Sequence, residues 1–504
     1  MEYVIQFTGK HKITLVDRVF TLSTSGITTL PDNIAAEGRL KTPLLSRRDM
    51  FDKLTTYGAI SAGGGEITAV NDGGLDELVT DYATNGREVS MWVAKKYSKN
   101  FPADYSLIYR GTIKLITSTF DTLKIQISDK MQSLENPLLQ TKYLGNNALP
   151  NGLEGSASDI KGERKPRVYG PVKNLSPYLV NTASLIYQVS DKPCAVSAAY
   201  SRGVQWAFSG NYATIADLQN VTLNPPSNGY KVYSGAEGCY IKVGSVPAGT
   251  VTVHAATSEK RCAELIKTIA LDAGIALADI NLDDVAALNV ITYQCGVWVS
   301  GETTALQAMS FIASGIGAYF SFDRLGVLRM SRLEAPSGLP VLEILPDIVS
   351  KIELVSTADT DQGVPAKTLT LEYAKNYTVQ TDLDNTAAAG RAAFSAAEWR
   401  HAVATSASAA ALYVDAPEIM VETSLANEAD ALAESTRRIE QLQSRRVFEV
   451  TASADDGDPY STVDIGDVIR VTYPRFGLDN GEIFRVIGIV YDTRLSEITL
   501  RVWG

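Results

Sequence analysis

The sequence predicts a mainly β, multidomain α+β protein, and three observations carry that prediction. Leu123, Ile125 and Ile127 alternate with Lys124, Gln126 and Ser128, the period of a strand with one face buried. Cys262, Leu265, Ile266, Ile269 and Ala273 fall on one helical stripe. Near the carboxy terminus four apolar runs, Val447 to Ala452, Val468 to Tyr473, Ile483 to Tyr491 and Ile498 to Trp503, are separated by clusters of turn-forming residues, which reads as a compact, closed or nearly closed barrel of β-structure.

The first domain, 1–150, reads as mainly β. Tyr3 to Phe7 and Lys12 to Leu22 have strand character, and Leu75, Leu78, Val79 and Tyr82 fall at helical spacing before the stop signal Asn85-Gly86. Glu88 to Val93 then reads as another strand. Gly63-Gly64-Gly65 is followed by no helix start carrying Lys and Ser or Thr, so it is expected to be a turn and not a phosphate cradle. The stretch 144–162, rich in Gly, Asn, Ser and Pro, predicts a surface connection and the first domain boundary. Short apolar runs at Ser184 to Val189, Lys231 to Tyr233, Tyr240 to Val243 and Thr250 to Val253 then predict a small β module over 151–256.

At Thr257 the period changes to that of a helix, with Thr257 as a candidate N-cap, Glu259 in the first turn and Gly274 past the end. A second helix, from about Thr303 to Ser314 with Leu306, Met309 and Ala313 inward, ends at Gly315-Ile316-Gly317 and feeds strands Ala318 to Phe322 and Val327 to Ser331, giving an α+β module over 257–345. The last domain, 346–504, opens with strands Ile352 to Val355 and Thr368 to Tyr373. The Ala-rich stretch from Thr386 to Ala411 has weak periodicity and reads as an extended arm or insertion. A helix from Asn427 to Leu442 is expected to face inward through Ala429, Leu432, Ala433, Thr436, Ile439 and Leu442, with Glu434 and Arg438 paired on the other face. Turns are expected at Asp455 to Pro459, Asp479-Asn480-Gly481 and Asp492-Thr493-Arg494.

Composition narrows the function. The 504 residues are 45% hydrophobic and 20% charged, which supplies several cores, about three to five domains by length. No window reaches the ~18 consecutive apolar residues of a membrane helix, and Met-Glu-Tyr-Val-Ile-Gln is not a signal-peptide start, so synthesis in a cytoplasm is expected. A formal charge of -11 without a long basic block argues against a dedicated nucleic-acid binder. Cys194, Cys239, Cys262 and Cys295 lack zinc-ligand spacing and are expected to be buried reduced thiols, and His11, His254 and His401 each stand alone. Neither His-Glu-x-x-His nor Gly-x-Ser-x-Gly occurs, so no enzymatic activity, no metal and no cofactor are expected.

Several runs together resemble the baseplate or tail hub proteins of siphophages and gene transfer agents. The most specific is Asp464 to Leu478 (Asp-Ile-Gly-Asp-Val-Ile-Arg-Val-Thr-Tyr-Pro-Arg-Phe-Gly-Leu), followed by Phe484-Arg485-Val486-Ile487-Gly488 and the ending Leu500-Arg501-Val502-Trp503-Gly504. Gly162 to Pro177 with Ile186-Tyr187-Gln188, Asn211 to Leu218, and Asp72 to Asp76 with Asn85-Gly86-Arg87 are similar to other parts of such hubs. The stretch Thr386 to Ala411 has no counterpart in the resemblance.

The resemblance implies two β-barrel-like ring domains, one at each end, so that a homotrimer presents six similar domains as a pseudo-sixfold ring. Such a ring joins a sixfold tail tube or distal tail protein to a threefold central fibre or spike, with the tape measure protein as a further partner and DNA only in transit. It places the chain in the virion tail. Asp464, Gly466, Asp467, Arg475 and Phe476 are candidate ring or partner interface residues; simple turn chemistry is the competing reading. Two other classes remain: a receptor- or glycan-binding adhesin, to which the 23 tyrosines lend some support, and a tail-associated cell-wall hydrolase.

Overall fold

The computed structural model describes residues 2–27, 36–50, 58–60, 64–96, 98, 100–147, 152–356, 365–443, 446–453, 463–492 and 497–504. The protein is mainly β, with several sheets, and the two ends of the chain share the largest of them. Among the described residues that sheet has 15 strands. It runs in the order Val349–Ser356, Val447–Ser453, Glu497–Trp503, Leu478–Asp492, Leu40–Asp49, Gly64–Val70, Thr122–Ser128, Ser106–Ser118, Glu88–Ala94, Glu2–His11, Asp17–Ser23 and Glu37–Gly38. Val468–Tyr473 attaches beside Leu478–Asp492 and carries Leu342–Ile344 on its other edge, and Tyr82–Ala83 attaches beside Glu2–His11.

Alternation explains the first half. Thr122–Ser128 buries Leu123, Ile125 and Ile127, exposes Lys124 and Gln126, and pairs antiparallel on both edges. These side chains join Ile5, Phe7, Phe20, Leu44, Ile67 and Val89 in one apolar core. Gly64 and Gly65 open the strand that pairs with Ile127 and Ser128, so they are not a turn; Gly63 lies outside the described residues. At Gly65 a Cβ would stand 3.0 Å from the Leu45 carbonyl oxygen, so glycine is what lets the strands close there. The second strand begins at Asp17, with Lys12 to Val16 forming the hairpin turn, and the expected helix near Leu75 is the single turn Glu77–Thr80, after which Tyr82 pairs with His11.

The second half packs Phe448, Val450, Ile469, Val471, Phe484, Val486, Leu500 and Val502 into a separate core. The two halves meet on Leu478–Asp492, a strand of 15 residues. One edge of its distal portion pairs with Glu497–Trp503. The opposite edge pairs first with Val468–Tyr473 and then, past a bulge between Val486 and Gly488, with Leu40–Asp49. The expected turn at Asp479-Asn480-Gly481 lies within this strand. The chain reverses at Pro474 to Gly477 instead, where Phe476 and Gly477 take φ of 61° and 71°. Asp455 to Pro459, Thr493 and Arg494 lie outside the described residues.

Between the halves, the sheets Pro171–Leu175, Val251–Ala256, Ala195–Ser201, Val204–Gln205 and Tyr178–Asn181, Ile186–Ser190, Gly238–Val243, Gly229–Gly235, Ala207–Asn211 enclose Val172, Leu175, Val189, Trp206, Ile241 and Val253. Next, the helices Cys262–Asp272 and Ala305–Ser314 pack against Ala318–Phe322 and Leu328–Arg332. Thr257 is not the N-cap of the first helix: Arg261 holds that position, and the Thr257 hydroxyl accepts the Gly170 N–H at 2.7 Å, tying the helix to the preceding module. Glu259 precedes the helix and Glu264 sits in its first turn. The second helix starts at the capping box Thr304–Gln307.

The Ala-rich stretch is not an extended arm. It forms the helix Ala389–Ala396, the strand Arg400–Thr405 and the helix Ala407–Leu412, and Arg400–Thr405 pairs antiparallel with Thr368–Tyr373. That sheet packs Leu369, Leu371 and Ala402 into the same core as the two middle helices.

The helix Glu428–Gln441 buries a face rotated away from the one its apolar residues predict, and of the six residues expected inward only Ile439 is buried, with Leu442 partly buried against the core. Ala431, Glu434, Ser435, Arg438 and Ile439 are buried, while Ala429, Leu432, Ala433 and Thr436 are exposed. The reason is an ion cluster: Glu434 lies 2.6 Å from Arg437, 2.7 Å from Arg438 and 3.7 Å from Arg332. The two helix arginines in turn donate to the Ser314 and Ile316 carbonyls at the end of Ala305–Ser314, acceptors that a helix end otherwise leaves open.

Candidate functional site

Of the five candidate interface residues, three come together at an internal junction. Val463 to Asp467 turn sharply into Val468–Tyr473, with Gly466 at φ 95°. The Asp467 carboxylate accepts the Asp464 N–H at 2.8 Å, and the Gly466 N–H donates to the Val486 carbonyl at 2.8 Å. Burial pushes the Asp467 carboxyl above the ordinary range, since the hydrogen bond from Asp464 and the charges of Arg329 and Arg485 only partly offset the loss of water.

Asp464 reaches across to the amino-terminal half. Its carboxylate accepts from Arg48 at 2.5 Å, and the same guanidinium donates to the Phe322 carbonyl at 3.0 Å in the α+β module. Arg485 donates to the Gly466 carbonyl at 2.6 Å and to the Glu334 carbonyl at 3.1 Å. Around this turn lies a cavity of about 140 Å³ lined by Arg48, Asp284, Tyr319, Arg329, Asp464 and Asp467, in which Arg329 and Asp284 form a two-point ion pair at 2.6 and 3.1 Å. Three parts of the chain are therefore locked on one turn.

The Cβ of an alanine at position 466 would stand 2.3 Å from the Tyr319 hydroxyl. Gly466→Ala is expected to cost about 1–2 kcal/mol from the positive φ alone. The variant's urea midpoint should fall, and Gly390→Ala, at an open helical position, should leave it unchanged or raised.

The other two candidates sit elsewhere. Arg475 and Phe476 form the exposed hairpin tip, with the guanidinium 5.0 Å from the ring centroid and Phe476 40% exposed. A second exposed apolar tip, Ile13, Leu15 and Val16, closes the hairpin between the first two strands. Arg48, Asp284, Tyr319 and Arg329 carry no local sequence signal, because their partners are far away along the chain.

The histidines do not converge on a reactive group. His254 is pushed down to about 4 by burial and by the charges of Arg391 and Lys173, and His401 lies 3.3 Å from Glu372. Among the described residues no group of three or more His, Cys, Asp or Glu side chains could hold a metal ion, and no helix is long and apolar enough to cross a membrane.

No family model matches the chain, and no curated protein matches it. Solved structures similar to it include tail proteins. The 43 kDa tail protein of prophage MuSo2 from Shewanella oneidensis aligns over 100% of this chain and 98% of its own, at 9% identity and a TM-score of 0.46. A tail protein from Neisseria meningitidis MC58 aligns over 100% and 96%, at 8% identity and a TM-score of 0.42. The prophage tail protein gp18 from Listeria monocytogenes EGD-e aligns over 99% and 94%, at 9% identity and a TM-score of 0.37.

Proposed function

We propose that this chain is a structural hub of a long-tailed phage baseplate, in which three copies form a pseudo-sixfold ring that joins a sixfold tail tube or distal tail protein to a threefold tip and leaves a bore for DNA. It acts by assembly and not by catalysis. The observation that carries the reading is the sheet shared by the two ends of the chain, seamed where Leu478–Asp492 passes from Val468–Tyr473 to Leu40–Asp49. The runs that carry the sequence resemblance, Asp464 to Leu478, Phe484 to Gly488 and Leu500 to Gly504, build that seam.

A further support is the placement of exposed apolar tips. The first half presents Ile13, Leu15 and Val16 and the second presents Phe476, each on a hairpin turn, so each half offers a protruding contact to a neighbour. A chain with two ring-forming halves in three copies matches six seats above and three below without leaving interface groups unpaired.

Native mass spectrometry and electron micrographs of the purified protein test this. Trimers with six peripheral densities are expected, and Phe476→Ser should shift the distribution toward monomer while leaving the far-ultraviolet spectrum unchanged. A strictly monomeric species at micromolar concentration, with no ring in the images, overturns the proposal. Clearing of bacterial cell walls by the pure protein would overturn the non-catalytic part.

A further inference from the structure

The Ala-rich stretch buries a charge where a helix of small residues needs none. In Ala389–Ala396 the buried residues are Arg391 and Ser395, one turn apart on the same face and 9% and 0% exposed. The Arg391 guanidinium reaches into the small β module. It stands 3.9 Å from the Tyr200 ring centroid, donates to the Asn174 side-chain oxygen and to the Thr252 hydroxyl at 3.0 Å, and comes within 3.5 Å of His254 Nε2. Asn174 is fixed in turn. Its amide donates to the Asn376 side-chain oxygen and to the Thr378 carbonyl, both at 2.7 Å, and the Asn376 amide donates to the Ser395 carbonyl at 3.0 Å.

These partners of Arg391 bring it no negative charge. Among the described residues no carboxylate forms an ion pair with Arg391, Lys173 or Arg400, although all three cations gather around the Phe394 ring, at 5.7, 6.0 and 4.0 Å from its centroid. Lys173 donates to the Ala426 carbonyl at 3.3 Å and Arg400 to the Ala397 carbonyl at 2.9 Å, while Glu398 lies 3.5 Å from Lys375. A buried cation without a counter-charge is costly. A second observation points to the same face. Arg391 Nε, the Ser395 hydroxyl and the Gln380 side-chain amide are enclosed and have no hydrogen-bond partner among the described residues. Gln380 is 4% exposed, and its N–H donates to the Ser395 carbonyl at 3.0 Å, which sets it beside the helix. Enclosed polar groups are rarely left open in a folded chain.

We propose that the buried face of Ala389–Ala396 holds one monatomic anion of chloride size, accepting from Arg391 Nε, the Ser395 hydroxyl and the Gln380 amide, as a structural ion between the Ala-rich insertion and the small β module. Charge selects an anion over water. Both accept from these donors, but only the anion offsets the guanidinium, and Lys173 and Arg400 add attraction of the same sign. Enclosure selects a singly charged, weakly hydrated ion, since the ion gives up its water on entering and a multiply charged one such as phosphate loses far more by doing so. The site joins two parts of the chain that are 217 positions apart at Asn174 and Arg391.

The test follows urea unfolding of the full chain at constant ionic strength while sodium chloride replaces sodium methanesulfonate, whose anion is bulkier. The folded-to-unfolded ratio is expected to rise about tenfold for each tenfold of chloride above the dissociation constant, the linkage of one bound ion. Arg391→Met should abolish that rise. Ser395→Ala removes a hydroxyl that has no partner among the described residues and favours the helix, so it should stay folded and shift the chloride curve to higher concentration. Crystals grown with sodium bromide should show an anomalous peak beside Arg391 Nε. Equal stability in the two salts, an unchanged chloride response in Arg391→Met or in Ser395→Ala, or water in place of bromide beside Arg391 Nε overturns the proposal, and none of these results bears on ring assembly.

Discussion

Replacing Glu434 with alanine is expected to remove about 3–5 kcal/mol of stability, because it strips the carboxylate from a cluster that keeps its arginines buried. The Glu434 side chain is fully enclosed, while Arg437 and Arg438 stay with it against the end of Ala305–Ser314. Glu434→Gln keeps an acceptor and should lose less, and Glu440→Ala, on the exposed face of the same helix, should fall within about 0.5 kcal/mol of wild type. Urea unfolding followed by far-ultraviolet dichroism reads all three.

The same carboxylate gives a pH dependence. Burial pushes it upward, but the charges of Arg438 and Arg437 outweigh that and hold it below the ordinary glutamate range. A lowered carboxyl contributes stability that is fully present above the unfolded value and is lost as pH falls through the folded one. The gap between wild type and Glu434→Ala should therefore be constant near neutrality and shrink below about pH 4.5. A gap that persists unchanged into strong acid would mean that the loss comes from the cavity and not from the charge.

The second large effect is expected at Arg48. It bonds Asp464 in the last domain and the Phe322 carbonyl in the α+β module from a strand of the first. Arg48→Ala should cost about 2–3 kcal/mol, discounted from a fully enclosed pair because the two side chains keep 13% and 23% of their exposure. Asp464→Ala in the same chain should recover part of that loss, since no carboxylate is then left without its partner, and a double-mutant cycle measures the coupling. Limited proteolysis should also cut Arg48→Ala faster, as the joint between the halves loosens. Additive losses in the cycle would show that the two side chains are not coupled.

Legibility in the sequence followed the range of the forces involved. Thr122–Ser128, Ala318–Phe322, Val447–Ser453 and Glu497–Trp503 stand where the apolar runs place them, because alternation and turn residues act over a few positions. Glu428–Gln441 is a helix where its periodicity requires one, yet its inward face was not readable. Local hydrophobicity favours turning Leu432 and Ala433 inward, whereas Arg332 and the free carbonyls after Ala305–Ser314, supplied by other segments, bury Glu434 and Arg438 instead. Thr257 shows the same conflict, its cap-forming hydroxyl being taken by Gly170.

The local conformation of the five candidate residues was legible, while the long-range partners of their turn were not. Asp464, Gly466 and Asp467 do form the turn that their residue types favour, and Arg475 with Phe476 does form an exposed tip. Arg48 stands 416 positions from Asp464, and no spacing rule reaches that far. By itself the sequence determined a mainly β chain, most of its strands and the resemblance of its closing run, since each rests on the identity of neighbouring residues. Tertiary structure alone decided that the two ends share a sheet and which face of Glu428–Gln441 is inside. Those outcomes depend on edges, charges and free carbonyls that distant segments bring into register only once the chain is folded.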